Sequence, residues 1–283
     1  MIASIIMLTY EHESFIKDAI LGVLMQETKF EFELIIVNDC SSDKTGDIIN
    51  NYISAYKGKH KIRYFLQKKN IGLVNNFEFA YNKCVGKYIA ICEGDDYWTD
   101  KYKLQMQIDV LEASPNLSSC FHKTKILQND KEIIYYKEYT KENYNVVDTL
   151  DPTALFHTSS FVFKKQPLTI PLSIFKLISW DMTFITFIAT KGDIAYLPYE
   201  MSIYRKHGAN YSSSNTQIGK IGLKNQIERM KFIDLFLDYK YSEKINKVIK
   251  YYKKELFYFS ILGKIQTALR LRTRLKYIVQ FLK

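Results

Sequence analysis

The chain has 283 residues, 47% of them hydrophobic and 25% charged, with 40 Lys and Arg against 30 Asp and Glu. That balance excludes a disordered or fibrous chain and leaves room for one large domain or a domain with an appendage. The net charge of +10 is localised: residues 240–283 carry twelve Lys or Arg against two Glu, so the preceding residues are formally neutral and the basic character belongs to a tail.

The elements follow one another in a regular order. Ile2 to Leu8 reads as a buried strand, and Phe15, Ile16, Ala19, Ile20, Val23 and Leu24 mark one face of a helix. Leu34 to Val37 predicts a second strand, closed by the turn-rich Asp39-Cys40-Ser41-Ser42-Asp43, with a second helix through Ile48, Ile49, Tyr52, Ile53 and Tyr56. Ile62 to Leu66 is a third strand and Val74, Phe77, Ala80, Tyr81 and Cys84 a third helical face. Tyr88 to Cys92 is a fourth strand that runs into Glu93-Gly94-Asp95-Asp96. This alternation predicts an α/β fold, a mainly parallel sheet with helices on both faces.

Past Asp100 a helix with Leu104, Ile108 and Leu111 ends at Ser114-Pro115 and the pattern becomes irregular. Ile133 to Tyr136 and Ser159 to Phe163 read as short strands, Trp180-Asp181 opens an apolar stretch to Ala189, and Gly208 to Asn215 has loop composition. From about Ile218 the chain reads as helices. The expected division is 1–216, with halves 1–100 and 101–216, followed by a basic helical extension 217–283.

In a sheet of this kind ligands bind at the carboxyl ends of the strands. Thr9-Tyr10, Asp39 and Glu93 to Asp96 all fall at such ends, so they should converge on one cleft. Closely spaced carboxylates repel one another unless a cation joins them, and a hard cation takes oxygen ligands shared with substrate phosphates. An aromatic ring at Tyr10 can stack on a base, and Asp39 can accept a hydrogen bond or simply shape its turn.

Several segments together resemble the family 2 glycosyltransferases of GT-A fold: Ser4 to Tyr10, Glu33 to Asp43, Asn70-Ile71-Gly72, and Gly86-Lys87-Tyr88-Ile89 with Glu93 to Asp96. The likeness covers residues 1 to about 120 well and continues more weakly to about 211, through Trp180-Asp181 and Tyr204-Arg205-Lys206-His207. Leu8 stands where the family usually has proline, Asn38 where it usually has an acid, and Glu93 at the first position of its Asp-x-Asp-Asp motif. The resemblance implies a metal-dependent, inverting transferase that moves a sugar from a nucleotide donor, UDP-linked by preference, to a glycan or lipid-linked acceptor. It places Thr9, Tyr10, Glu11, Asp39, Asn70, Gly72, Asn76, Glu93, Asp95 and Arg205 around the nucleotide. Asp95, Asp96 and His207 would hold Mn²⁺ or Mg²⁺, and Asp181 would be the catalytic base.

Each residue has a plainer reading beside that one. Asp181 suits a helix N-cap, His207 a structural histidine, and Gly72 a left-handed turn. His157-Thr158-Ser159-Ser160 lies where an acceptor would approach, but a half-buried strand explains it equally and it is assigned no catalytic role. Two rivals remain: a degenerate relative that binds membrane or nucleic acid through its tail, and a sugar nucleotidyltransferase, for which Leu8-Thr9-Tyr10-Glu11-His12 lacks the Gly-rich basic loop.

The tail spaces Ile245, Val248, Ile249, Tyr252, Leu256 and Phe259 at helical intervals, and Ile265, Ala268, Leu269, Arg272, Leu275, Val279 and Leu282 continue. A basic amphipathic helix either lies on a membrane surface or packs on its own domain with a solvated outer face. Nucleic acid is not expected as a partner. Cys40, Cys84, Cys92 and Cys120 form no C-x-x-C pair and suit a reducing compartment. The apolar Ile2 to Leu8 is too short for a leader, and no stretch reaches the roughly 18 residues of a membrane span. The expected location is therefore cytoplasmic, with peripheral attachment to the inner face of the membrane in the lipid-binding case.

Overall fold

The computed structural model describes residues 1–128, 132–168, 179–207 and 219–281, with the side chains at 132–133 and 262–281 excepted. The expected loop at 208–215, the boundary at 216 and the tail stripe beyond Ile261 lie outside these described residues or side chains. Strands β1 (Ala3–Thr9) and β2 (Phe32–Asn38) are buried along their whole length, as the largely apolar strands of a parallel sheet covered on both faces should be. Helix α1 (Ile16–Leu24) buries Ile16, Ala19, Ile20 and Val23, the stripe set by the 3.6-residue period. Helix α2 (Thr45–Ala55), strand β3 (Lys61–Leu66), helix α3 (Leu73–Lys83) and strand β4 (Tyr88–Ile91) complete the alternating half.

Parallel pairing of β3, β2, β1 and β4 aligns Leu8 with Val37, Thr9 with Asn38 and Ile6 with Ile91. The three polar strand ends therefore lie along one edge. At the opposite edge a buried polar knot ties the strands: Ser4 Oγ donates to Glu33 Oε1 at 2.6 Å, and Val85 N donates to the same oxygen at 2.9 Å. Arg63 Nη1 donates to Glu33 Oε2 at 2.9 Å. Burial pushes the Glu33 carboxyl up, but the Ser4, Val85 and Arg63 bonds outweigh it and hold the group below its ordinary value. Gly86 is required there, because a Cβ would stand 2.5 Å from Ala3 C and Ser4 N.

The second half is less regular than its apolar patterning suggests. Strand β5 (Tyr97–Trp98), helix α4 (Lys103–Ala113), strand β6 (Leu117–Gln128) and strand β7 (Glu132–Tyr135) follow. Strand β8 (Asn143–Tyr144), strand β9 (Val162–Lys164), helix α5 (Trp180–Ala189) and strand β10 (Asp193–Lys206) close the sheet. The order is β3-β2-β1-β4-β9-β6-β10-β5, with β7 on β6 and β8 on β10. β6 and β10 run parallel, while β9 pairs antiparallel with both β4 and β6. The sheet is thus mixed beyond β4. The long strands β6 and β10 escape the sequence pattern because β6 buries Ser118, Ser119, His122 and Thr124, and β10 buries Ser202, rather than an apolar run. Ser159 and Ser160, expected in a strand, belong to a 3-10 turn capped by the His157 side chain.

The contacts divide the chain into two compact units, Met1–Lys176 with Trp180–His207, and Leu177–Ser179 with Gly208–Lys283. In the second, helices α6 (Gly219–Phe236) and α7 (Ser242–Phe281) pack along one another. α6 buries Ile227, Met230 and Ile233, and α7 buries Ile245, Val248, Ile249 and Tyr252. Among the described residues no helix is long and apolar enough to cross a membrane. All four cysteines carry unpaired thiols.

Candidate functional site

The ends of β1, β2 and β4 are laced together by main-chain bonds. Asp39 N donates to Thr9 O and Gly94 N donates to Leu8 O, each at 2.9 Å. The loops after β1 and β2 interlock: Glu11 N donates to Ser41 Oγ, Ser42 Oγ donates to Glu11 Oε1, and His12 N donates to Thr45 Oγ1. Glu11 and Cys40 take positive φ, 55° and 65°, to make this fit. Thr9 is buried, while the Tyr10 ring is 44% exposed at the strand end.

Asp39 is 4% exposed, and its carboxylate accepts from Ile71 N at 2.8 Å and Gly72 N at 2.9 Å. It thereby holds the loop in which Gly72 has φ 82° and the exposed Asn70 accepts from Gly72 N. Asn76 is buried and tied to Val37 O and Gln67, on the inner side of α3. Asn38 is held in place on both sides: its oxygen accepts from Ser41 N and Oγ while its amide donates to Tyr64 Oη at 3.1 Å.

The loop after β4 gathers three carboxyls, with Asp96 buried and Glu93 and Asp95 half-buried. Glu93 Oε1 accepts from Thr158 Oγ1 at 2.6 Å, and its Oε2 is a buried oxygen with no hydrogen-bond partner among the described residues. Asp95 Oδ2 lies 3.2 Å from His207 Nε2 and 3.9 Å from His12 Nε2. Asp96, 1% exposed, accepts from Arg205 N at 3.0 Å and lies 3.5 Å from His157 Nδ1. Gly94 makes the crowding possible, since a Cβ there would meet His12 Nδ1 at 2.8 Å and Thr9 Oγ1 at 2.9 Å.

The electrostatics follow from burial first. Burial pushes the Asp96 carboxyl well above its ordinary value, and the charges of Asp95 and Glu93 push the same way. Glu93 rises to about 7 through burial, against its Thr158 bond, with Asp95 and Asp181 adding to the rise. Asp95 is pushed up by burial too, yet the His207 bond and the neighbouring imidazoles carry it below the ordinary range. Burial drives His12 down and His157 to about 4, each opposed by Asp95. The loop therefore holds Asp95 as its favoured anion and keeps the other two carboxyls from ionising cheaply.

Arg205 reaches the same loop from β10. Its guanidinium is ion-paired with Asp18, donates to Asp95 O at 3.3 Å, and lies over the Tyr97 ring at 4.3 Å. Asp181 is half-buried in the first turn of α5, and its charge acts on Glu93 and on the Tyr136 hydroxyl. The tertiary structure thus brings Thr9, Glu93, Asp95, Asp96, His207, Arg205 and Asp181 to one region, with Asp39, Asn70 and Gly72 on the adjoining strand end.

Three residues there carry no sequence assignment: His12, His157 and Thr158. His157 stacks on Tyr204 at 4.0 Å, and Phe15 stacks on His207 at 4.6 Å, fixing both imidazoles. His12 had one visible signal, its place three residues past the end of β1. His157 and Thr158 stood only in a segment where an acceptor would approach, with no role assigned, because they reach Asp96 and Glu93 only through tertiary folding.

Among the described residues no three His, Cys, Asp or Glu side chains are grouped as a metal cluster. The donor set nevertheless fits a cation shared with a ligand. Asp95 and His207 could offer one oxygen and one nitrogen, with Asp96 and Glu93 in the same loop. A hard cation commonly takes one or two carboxylates and completes its shell from phosphates and water.

Residues 4–170 match the sequence model of Glycosyl transferase family 2. The Mycobacterium tuberculosis protein Rv1520 is 35% identical over 208 residues, covering 72% of this chain and 58% of that protein. A glycosyltransferase of Nostoc, alr2836, is 28% identical over 215 residues, 73% of this chain and 65% of the relative. The chain thus spans under two thirds of the length of these relatives. Among solved structures, Staphylococcus aureus TarS 1–349 in complex with UDP-GlcNAc superposes with a TM-score of 0.63 at 18% identity, over 92% of this chain and 73% of that one. The Pyrobaculum calidifontis mannosyltransferase PcManGT, in complex with GDP-Man and Mn²⁺, gives 0.57 at 14% identity, over 82% and 63%. These likenesses identify the fold as GT-A.

Proposed function

The chain belongs to glycosyl transferase family 2, and from that premise we propose that it moves a sugar, with inversion, from a nucleotide-sugar donor to a hydroxyl of a glycan or lipid-linked acceptor. The observation that carries this reading is the convergence of Glu93, Asp95 and Asp96 with Thr9 and Asp39 at the carboxyl ends of β1, β2 and β4. Residues 1–216 would be the catalytic part and 217–283 an extension.

A nucleoside diphosphate fits the cleft by its chemistry. The exposed Tyr10 ring offers a face for a base, and Asp39 keeps lone pairs beyond those taken by Ile71 N and Gly72 N, which suits a uracil imide and favours UDP. Glu11, Asn70 and Gly72 border that position, and Asn76 supports it from within α3. Arg205 supports the loop through Asp95 O, a positioning role more than direct phosphate contact.

Asp95, Asp96 and His207 would hold Mn²⁺ or Mg²⁺, which when bound offsets the charge of the departing diphosphate. Asp181 accepts the proton of the acceptor hydroxyl as that oxygen attacks the anomeric carbon from the face opposite the diphosphate. General-base catalysis of this sort is worth about 10²–10⁴-fold. His157, kept neutral by burial, and Thr158 hold Asp96 and Glu93 in place. Attachment of α7 at a membrane surface would bring a lipid-linked acceptor within reach.

The test is thermal stability with UDP, GDP or CMP, each with and without Mn²⁺. A ligand at about 100 times its dissociation constant stabilises the native state by roughly 2.7 kcal/mol. A UDP shift that needs metal and vanishes in Asp96→Ala supports the donor site. No shift with any nucleotide favours a catalytically degenerate relative, and a product of sugar phosphate with nucleoside triphosphate favours a nucleotidyltransferase.

A further inference from the structure

Helix α7 carries two apolar stripes on different sides. The first is Ile245, Val248, Ile249 and Tyr252, buried at the i, i+3, i+4, i+7 spacing of one face. Beyond it the exposed side chains turn apolar: Phe257 is 62% exposed, Tyr258 49%, Phe259 48% and Ile261 37%, with Phe257 and Ile261 forming the second stripe. At about 100° per residue, Phe257 and Ile261 stand roughly opposite Tyr252, in the same arc as Lys250 and Lys254.

The partner helix does not account for this second stripe. The described part of α6 begins at Gly219, beside the Phe259 ring at 3.4 Å from the position of an added Cβ. α7 continues to Phe281, some 33 Å farther at about 1.5 Å per residue. In the sequence, Ile265, Ala268, Leu275 and Val279 recur at the spacing of Ile261.

Charge decides the occupant. From Lys250 to Lys283 there are nine Lys or Arg and one acid, Glu255. A second copy of the helix would set like charges against one another, so the partner must be anionic and apolar together. Aromatic and aliphatic residues interleaved with lysine are the composition of a helix lying in the headgroup plane of a bilayer. We propose that the face of α7 that carries Lys250, Lys254, Phe257 and Ile261 seats on an anionic lipid bilayer. This deepens the surface attachment proposed above and uses none of the donor-site residues.

The test is co-sedimentation of the full chain with vesicles of phosphatidylcholine alone or with phosphatidylglycerol added, the UDP and Mn²⁺ thermal shift being measured on every variant. Partition into anionic vesicles only, weakened by salt, is expected. Lys250→Gln and Lys254→Gln should each lower it roughly fivefold, and Phe257→Ser and Ile261→Ser about tenfold each, with helix content unchanged by circular dichroism. Four results overturn the proposal: no partition, equal partition into neutral and anionic vesicles, variants that bind like the parent, or a dimer that Phe257→Ser dissolves. Donor binding that persists through any of them leaves the functional reading standing, while its loss in the parent chain fails that reading alone.

Discussion

Lys103 offers a sharp test of the packing, because a lysine is rarely enclosed without a counter-charge. It opens α4 with no solvent exposure, its Nζ donates to Gln107 Oε1 at 2.8 Å, and the amine sits 3.9 Å from the Trp98 ring centroid. Burial pulls its pKa from 10.5 to about 7, against the opposing pull of the Cys92 and Cys120 thiols. At ~1.36 kcal/mol per pH unit that interval corresponds to about 5 kcal/mol held against the native state. Between pH 7 and 10.5 the unfolded chain binds this proton and the folded chain does not, so stability rises with pH across the window and is flat outside it.

Lys103→Met keeps the stem on Trp98 and removes the proton. It leaves Gln107 Oε1 without its donor, a cost of about 1–3 kcal/mol, so a net gain of about 2–4 kcal/mol is expected at pH 7. The cleaner readout is the pH slope. From pH 7 to 8.5 the parent should gain about 2 kcal/mol more than the variant. His122 does not interfere, since burial holds it well below 6.5, and the folded Cys92 and Cys120 thiols stay protonated throughout. Urea unfolding followed by tryptophan fluorescence at both pH values measures the difference. Parallel profiles for the two proteins would refute the reasoning, because they would mean the amine is hydrated or charged in the folded state.

Three further outcomes follow from the geometry. Asp181→Asn should keep the metal-dependent donor shift and lower transfer by about 10²–10⁴ in a product assay. Glu33→Gln should cost about 2–3 kcal/mol at pH 7, because Arg63 loses its buried partner. The Glu33 pKa is depressed on folding, so its stabilisation is present above its ordinary pKa and disappears as pH falls through the folded value; acid titration of unfolding should show the parent converging on the variant. Gly86→Ala should cost about 3 kcal/mol in denaturant melts, since the contacting atoms belong to the β1 backbone and cannot swing aside.

The alternating half of the fold was legible because its central strands are buried on both faces and must be written as apolar runs, with helices striped between them. Convergence of Thr9, Asp39 and Glu93 to Asp96 was legible for the same reason: parallel register sends every strand's carboxyl end to one edge. The local motifs also carried the family. β6 and β10 were not legible, because buried positions in them are filled by Ser118, Thr124 and Ser202, whose hydrogen bonds exist only once the strands pair. Nor was the role of Asn38, which depends on Tyr64 twenty-six residues away. Only the tertiary structure brought His157 and Thr158 against Asp96 and Glu93 across some sixty residues. What a residue is and how it repeats set the elements and the edge where they end; which buried carboxyl keeps its charge depends on distance and desolvation, and those exist only in the folded chain.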